Sequence, residues 1–262
     1  MPGAGREEML LNRVLTIRID FCTIRGTSML TIEDQDKIVE MAQSGIFYGH
    51  KKTKTHPQMK NFIGGRRNEI ELLDPEAMVQ SFNKAVEFLK GKLQNGGMVL
   101  FVATQPAAKE AVRSMAEEWK MPFVDFRWLG GTLTNFGVMR KRIDHYESLR
   151  SKKESGDLAK YTKKEQAQFS KEIAKLSRNF DGIKNLTRLP DVIFLVDTML
   201  HKTAVAEANK LNIPVVAIMD TDDNPDLIRY PILANDHARA SVTFVLDLLK
   251  NEMKPGTSEG HE

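Results

Sequence analysis

Residues 189–220 read LPDVIFLVDTMLHKTAVAEANKLNIPVVAIMD, two apolar runs with a helical pattern between them. Asp191 to Asp197 and Ile213 to Asp220 are short, β-branched and apolar at consecutive positions, which reads as strands buried on both faces. The segment containing Ala204 to Leu211 supplies the helix that must connect two parallel strands. Working upstream, Met98 to Ala103 (MVLFVA) follows Gly96 and Gly97 and leads into a helix from about Pro106 to Lys120. Pro122 to Phe126 is the next strand, Ile70 to Leu73 a shorter one, and Pro75 opens a long amphipathic helix at its first turn. Downstream, a last helix covers about Ala238 to Lys250. The series predicts an α/β domain over 29–136 and 187–250, built on a parallel sheet flanked by helices.

The pattern changes over 137–186. Val138, Ile143, Tyr146 and Leu149 form one apolar stripe; Phe169, Ile173, Leu176, Phe180 and Ile183 form another at heptad spacing. The link from Lys152 to Tyr161 holds Ser155 and Gly156, and Thr162 to Glu165 (TKKE) is a capping box. Together they predict a protruding antiparallel coiled-coil hairpin. Residues 1–28 fit no element and are expected to be a disordered extension, or to precede the true start at Met29, where Glu33, Asp34 and Asp36 open a helix. Residues 251–262 are expected to be a disordered tail.

Charge is unevenly spread. Lys51, Lys52, Lys54, Lys60, Arg66 and Arg67 fall in one window without an acid, a local +6. Met139 to Leu189 carries 14 basic residues, beginning with Arg140, Lys141 and Arg142, against seven acids, a local +7. The chain's net is only +3, so the remainder stands at −10. Two basic regions on an acidic body point to a polyanion met on part of the surface. The lone Cys22 excludes an intramolecular disulfide and a multi-thiolate zinc site and fits a reducing compartment. No apolar run nears the roughly 20 residues of a membrane span. Arg13, Arg18 and Asp20 interrupt any signal-peptide core, so a cytoplasmic protein is expected.

Enzyme signatures are sparse. There is no GxxxxGK[ST], GxSxG or HExxH, and Ala103-Thr104-Gln105-Pro106 after the MVLFVA strand is not a GxGxxG turn. Strand ends do collect acids: Asp197, Asp220, Asp222, Asp223 and Asp236, with His237 beside the last. Asp220, Asp236 and His237 are a candidate metal site of oxygen and imidazole donors, the basis of a rival reading as a small-molecule or metal-dependent α/β enzyme. A plainer reading is preferred, with TDDNP a turn, Asn235 a helix cap, and His50 and His56 polar neighbours of the basic loop.

Residues 126–142, FRWLGGTLTNFGVMRKR, carry the other candidate site. Gly130 and Gly131 let the backbone turn closely, Thr132, Thr134 or Asn135 can cap the following helix, and free amides at its start suit a phosphate. Phe126 and Trp128 either stack on an unpaired base or anchor the loop in the core, the latter preferred for Trp128. No catalytic group is required for a ribose-phosphate backbone, so the equipment suits shape reading of folded RNA.

Arg127 to Asn135 (RWLGGTLTN), Gly45 to His50 (GIFYGH), Leu189 to Asp197 (LPDVIFLVD) and Ile213 to Asp226 (IPVVAIMDTDDNPD) together resemble the bacterial small-subunit ribosomal protein S-two family, in order from about Met29 to Leu249. The resemblance implies a flavodoxin-like parallel sheet with a helical hairpin, seated between the head and body of the small subunit. It implies binding to 16S rRNA and to other small-subunit proteins, late assembly, and tethering of ribosomal protein S-one. It implies no enzyme activity, required cofactor, DNA, membrane or self-association. Carried over position by position, the RNA-facing residues are Lys51, Lys52, Lys54, Lys60, Arg66 and Arg67. With them stand Arg127, Trp128, Gly130, Gly131, Thr132, Thr134 and Asn135, and the basic run Arg140, Lys141 and Arg142. The chain departs from the family pattern at Ala103 to Pro106, at His56 to Met59, at Phe47-Tyr48 and in its front extension.

Overall fold

The computed structural model describes residues 41 and 43–253. The extension expected over 1–28, Cys22 and the helix start expected after Met29 lie outside them.

The described chain opens with a small antiparallel sheet: β1 (Tyr48–Lys51), β2 (Ile63–Arg67) and β3 (Ile70–Leu73), in the order β1-β3-β2. Asn68 and Glu69 join β2 to β3 with positive φ at both positions, the conformation a right-twisted two-residue hairpin requires. Of these strands the sequence reading anticipates only β3. Paired glycines weaken the apolar alternation of IGGRR, and lysine and histidine obscure YGHK.

Helix α1 (Pro75–Gln94) follows, with Asp74 capping it through the Glu76 amide at 3.2 Å. The large sheet then forms from β4 (Val99–Val102), β5 (Phe123–Val124), β6 (Val192–Val196), β7 (Val215–Met219) and β8 (Tyr230–Leu233). The order is β5-β4-β6-β7-β8 and every neighbouring pair is parallel. Renumbered from one this is 2-1-3-4-5, the flavodoxin-like doubly wound order. Helices α2 (Lys109–Glu118), α5 (Lys202–Lys210) and α6 (Arg239–Met253) flank it together with α1. Every residue of β4, β6 and β7 is buried, which is why these strands read as unbroken apolar runs. β8 escapes the sequence reading because Pro231 interrupts it. The strand sits at the sheet edge, where one missing amide is tolerated.

Between β5 and β6 lie α3 (Phe136–Glu154) and α4 (Lys163–Phe180), with the capping box at Thr162 and Glu165 as expected. Arg140 reaches Lys184 and Leu186, and His145 meets Glu172, so the helices run in opposite directions. Two details correct the sequence reading. The α3 stripe starts at buried Met139, while Val138 is 51% exposed. At the other end of the domain, α6 continues to Met253, into the segment expected to be tail.

Candidate nucleic-acid interface

The RWLGGTLTN loop sits between β5 and α3, where only one of its two glycines is conformationally required. Gly131 has φ +87°, a left-handed conformation that disfavours any side chain, whereas a Cβ on Gly130 would meet nothing. The turn aims the following amides inward at Glu207 of α5. Oε1 accepts from the Gly131 amide at 2.8 Å and the Trp128 indole at 3.2 Å. Oε2 accepts from the Leu133 amide at 3.0 Å and from the Thr134 amide and hydroxyl, each at 3.1 Å. Burial works to raise the Glu207 pKa, but the bonds from Thr134, Gly131, Leu133 and Trp128 outweigh it and hold the carboxyl below its ordinary value.

This corrects the expected phosphate cradle: the chain's own carboxylate already occupies these amides. Thr132 is buried with its hydroxyl donating to Leu129 at 2.6 Å, and Trp128 anchors the loop against the core. Asn135 stands at the N-cap but its side chain makes no capping bond. The exposed residues of this stretch are Phe126, Arg127, Gly130, Asn135 and Thr134, the last with its hydroxyl and amide held by Glu207.

The basic run after the loop divides. Arg140 is turned inward, donating to two backbone carbonyls and pairing with Asp144 at 2.8 Å and Glu147 at 3.4 Å. Lys141 is exposed, and Arg142 is exposed and lies over the Phe180 ring at 5.9 Å. On the small sheet, Lys51 faces Glu69 at 3.7 Å and Arg66 faces Glu71 at 3.6 Å. Among the described residues Lys52, Lys54, Lys60, Arg67, Arg127 and Lys141 have no ion-pair partner, and all but half-buried Arg67 are exposed.

A second polar site forms where the small sheet meets the carboxyl edge of the large one. Asp197 and Asp220 directly follow β6 and β7, and Asp236 follows β8. With Asp223 they are 6%, 1%, 1% and 0% exposed. The approach requires Gly49, because a Cβ there would stand 2.4 Å from the Thr221 side chain. The His50 amide then bonds the Thr221 hydroxyl at 2.8 Å, and Asn235 bonds the Tyr48 carbonyl at 2.8 Å. So GIFYGH and IPVVAIMDTDDNPD, far apart in the chain, share one site.

Within it, His50 Nδ1 lies 3.3 Å from Asp220 and 3.5 Å from Asp222 without hydrogen-bond geometry, and its ring meets His237 edge-on at 5.1 Å. The His237 ring bonds Asp236, whose other oxygen is buried with no partner. Asp220 bonds the Thr221 amide, and Asp223 bonds Thr198 and the Asp220 amide. Burial, reinforced by Asp220 and Asp197, pushes Asp236 up to about 7, and burial pushes Asp223 up to about 7. The Asp236 carboxylate lifts His237 to about 9, and Asp220 raises His50.

Two sets of donor atoms come within 4.8 Å of one another: His50, Asp220 and His237, and Asp197, Asp236 and His237. The expected trio of Asp220, Asp236 and His237 is thus divided, with His237 common to both sets. His50, read from sequence as a neighbour of the basic loop, belongs in the cluster. The plainer expectations hold alongside: Asn224 caps the turn at Pro225, and Asn235 accepts from His237 and Ala238.

Residues 41–256 match the family Ribosomal protein S2. The small ribosomal subunit protein uS2 of Fusobacterium nucleatum is 39% identical over 218 residues, 83% of this chain and 88% of that protein. Its namesake from Pseudoalteromonas translucida is 40% identical over 223 residues, 85% and 90% of the two. That of Rhodococcus erythropolis is 40% identical over 217 residues, 83% and 76%. With a five-stranded parallel sheet carrying the motifs in order, the chain belongs to the ribosomal protein S2 family.

Proposed function

We propose that this chain is a structural constituent of the small ribosomal subunit that binds 16S rRNA and performs no catalysis. The observation that carries the RNA reading is that, of the basic residues on the small sheet, the loop and the start of α3, Lys52, Lys54, Lys60, Arg67, Arg127, Lys141 and Arg142 have no ion-pair partner. Lysines and arginines free of internal partners neutralise phosphates by displacing counterions, which makes binding fall steeply with salt. Exposed Gly130 and Asn135, in the same loop as Arg127, add contacts to sugar and phosphate. Seating between head and body, late assembly and docking of ribosomal protein S-one are the finer parts of this reading, and they rest on the family pattern. Among the described residues no helix is long and apolar enough to cross a membrane.

The test is rebinding to small subunits stripped of this protein. Replacing Lys52, Lys54 and Arg67 together by Ala is expected to lower affinity at least tenfold and to flatten the salt dependence by about 2–3 contacts. Unchanged affinity and slope would refute this surface.

A second reading concerns the acidic edge, and the unpartnered buried oxygen of Asp236 favours it. Four buried carboxylates with His50 and His237 suit a divalent cation of zinc type bound through oxygen and imidazole. Such an ion would neutralise the cluster and fix the small sheet to the large one, a structural and not a catalytic role. Native mass spectrometry after incubation with zinc is expected to show one added ion that Asp236→Asn abolishes.

A further inference from the structure

Five donors from the RWLGGTLTN loop converge on the two oxygens of Glu207, which is itself 7% exposed on the buried side of α5. A carboxylate offers about four acceptor directions, and the loop uses them from both sides. No neutral side chain replaces it: a glutamine would present one acceptor and turn an NH2 donor toward the amides of Gly131, Leu133 or Thr134. Beside it the loop is held by buried Thr132 and Leu133 and by half-buried Trp128 and Leu129 against the core, none of which satisfies the amides of Gly131, Leu133 and Thr134. Charge-assisted bonds from backbone amides are the strong kind, and here three amides at consecutive or near-consecutive positions share one partner.

We propose that Glu207 is a positioning residue for RNA binding: it fills the loop's amide cradle as an internal substitute for phosphate and so presents Arg127, Gly130 and Asn135 to the rRNA. The inference rests on the rRNA reading above and adds the residue that prepares one part of that surface. Glu207 does not touch RNA; it acts only through the loop.

Affinity for small subunits stripped of this protein, measured for Glu207→Gln, Arg127→Ala and the double variant, tests it. Glu207→Gln is expected to weaken binding about tenfold, since unsatisfied buried donors displace the loop. The double variant should then bind no more weakly than Glu207→Gln alone, because Arg127 is already misplaced. Glu207→Asp, which keeps the charge, should recover part of the loss. In the free protein, amide exchange should quicken at Gly131, Leu133 and Thr134 while β6 and β7 stay protected. Should Glu207→Gln also loosen those strands, Glu207→Asp with an intact sheet decides in its place.

Wild-type affinity for Glu207→Gln alongside a weakened Arg127→Ala would overturn the role of Glu207 alone. Strictly additive losses would overturn it as well, since Glu207 would then act independently of the loop. No effect from Arg127→Ala and Asn135→Ala together would instead remove the loop from the RNA surface, a separate failure.

Discussion

The RWLGGTLTN loop and the acidic strand edge are opposites in polarity and in how completely they are satisfied. The loop gathers donors, and Glu207 accepts five bonds from it. The strand edge gathers acceptors, and although hydrogen bonds reach most of them, one Asp236 oxygen is buried without a partner. A donor cluster closed by the chain's own carboxylate is scaffold, whatever anion its composition suggests. An acceptor cluster left open in the interior calls for a cation or a proton. Composition alone would assign the two sites the other way round.

The contrast is sharpest on removing the Glu207 carboxylate. Glu207→Ala strands several buried donors at once and is expected to cost about 3–5 kcal/mol of unfolding free energy, read by urea denaturation. A loss below about 1 kcal/mol would mean the loop is held by other contacts.

Acid and base should then separate the sites. Asp223 and Asp236, raised from 3.8 to about 7, contribute stability that is full below about pH 4 and is lost as pH rises through 7. His237, raised from 6.5 to about 9, adds stability present below 6.5 and lost through 9. Glu207, lowered from 4.5, contributes stability present above that value and lost as pH falls through its folded pKa. In chelator, stability should therefore decline between pH 5 and 9 as the edge ionises. Protection of the loop amides, relative to their intrinsic exchange rates, should fall on the acid side. A flat profile from pH 5 to 9 would contradict the raised pKa values.

Neutralising the edge should act in the opposite sense to neutralising Glu207. Asp236→Asn relieves repulsion from Asp220 and Asp197 and is expected to stabilise the metal-free protein at pH 8.5 by about 1–2 kcal/mol, while zinc no longer raises its Tm. Destabilisation without metal would show that its bond to His237 outweighs the repulsion.

The smallest effect compares neighbours within the loop. Gly131→Ala is expected to cost about 1 kcal/mol, from strain at positive φ and a 3.3 Å contact with Asn135, whereas Gly130→Ala should fall within about 0.5 kcal/mol of wild type. Equal losses at the two positions would deny the loop its asymmetry.

What was legible in the sequence follows the same division. β4, β6 and β7 declare themselves because strands buried on both faces have no polar alternation to confuse the reading. β8 hides behind Pro231, and β1 and β2 behind lysine and glycine, because edge strands and small sheets tolerate residues that central strands exclude. The loop motif was visible, but its partner was not, since Glu207 lies 76 residues beyond Gly131. A faint signal existed: in AVAEANK the carboxylate shares the buried side of the helix with Ala204, Val205 and Ala208, a costly place for a charge without partners. His50 gave no such sign, because its site is assembled by a contact spanning 171 residues between His50 and Thr221.

The ribosomal role itself is tested most directly by velocity sedimentation of a native lysate, quantifying this chain across the gradient. The prediction is one copy per small subunit in the small-subunit peak, released into the free fraction by high salt. A wholly free pool beside intact small subunits that lack the chain would contradict it.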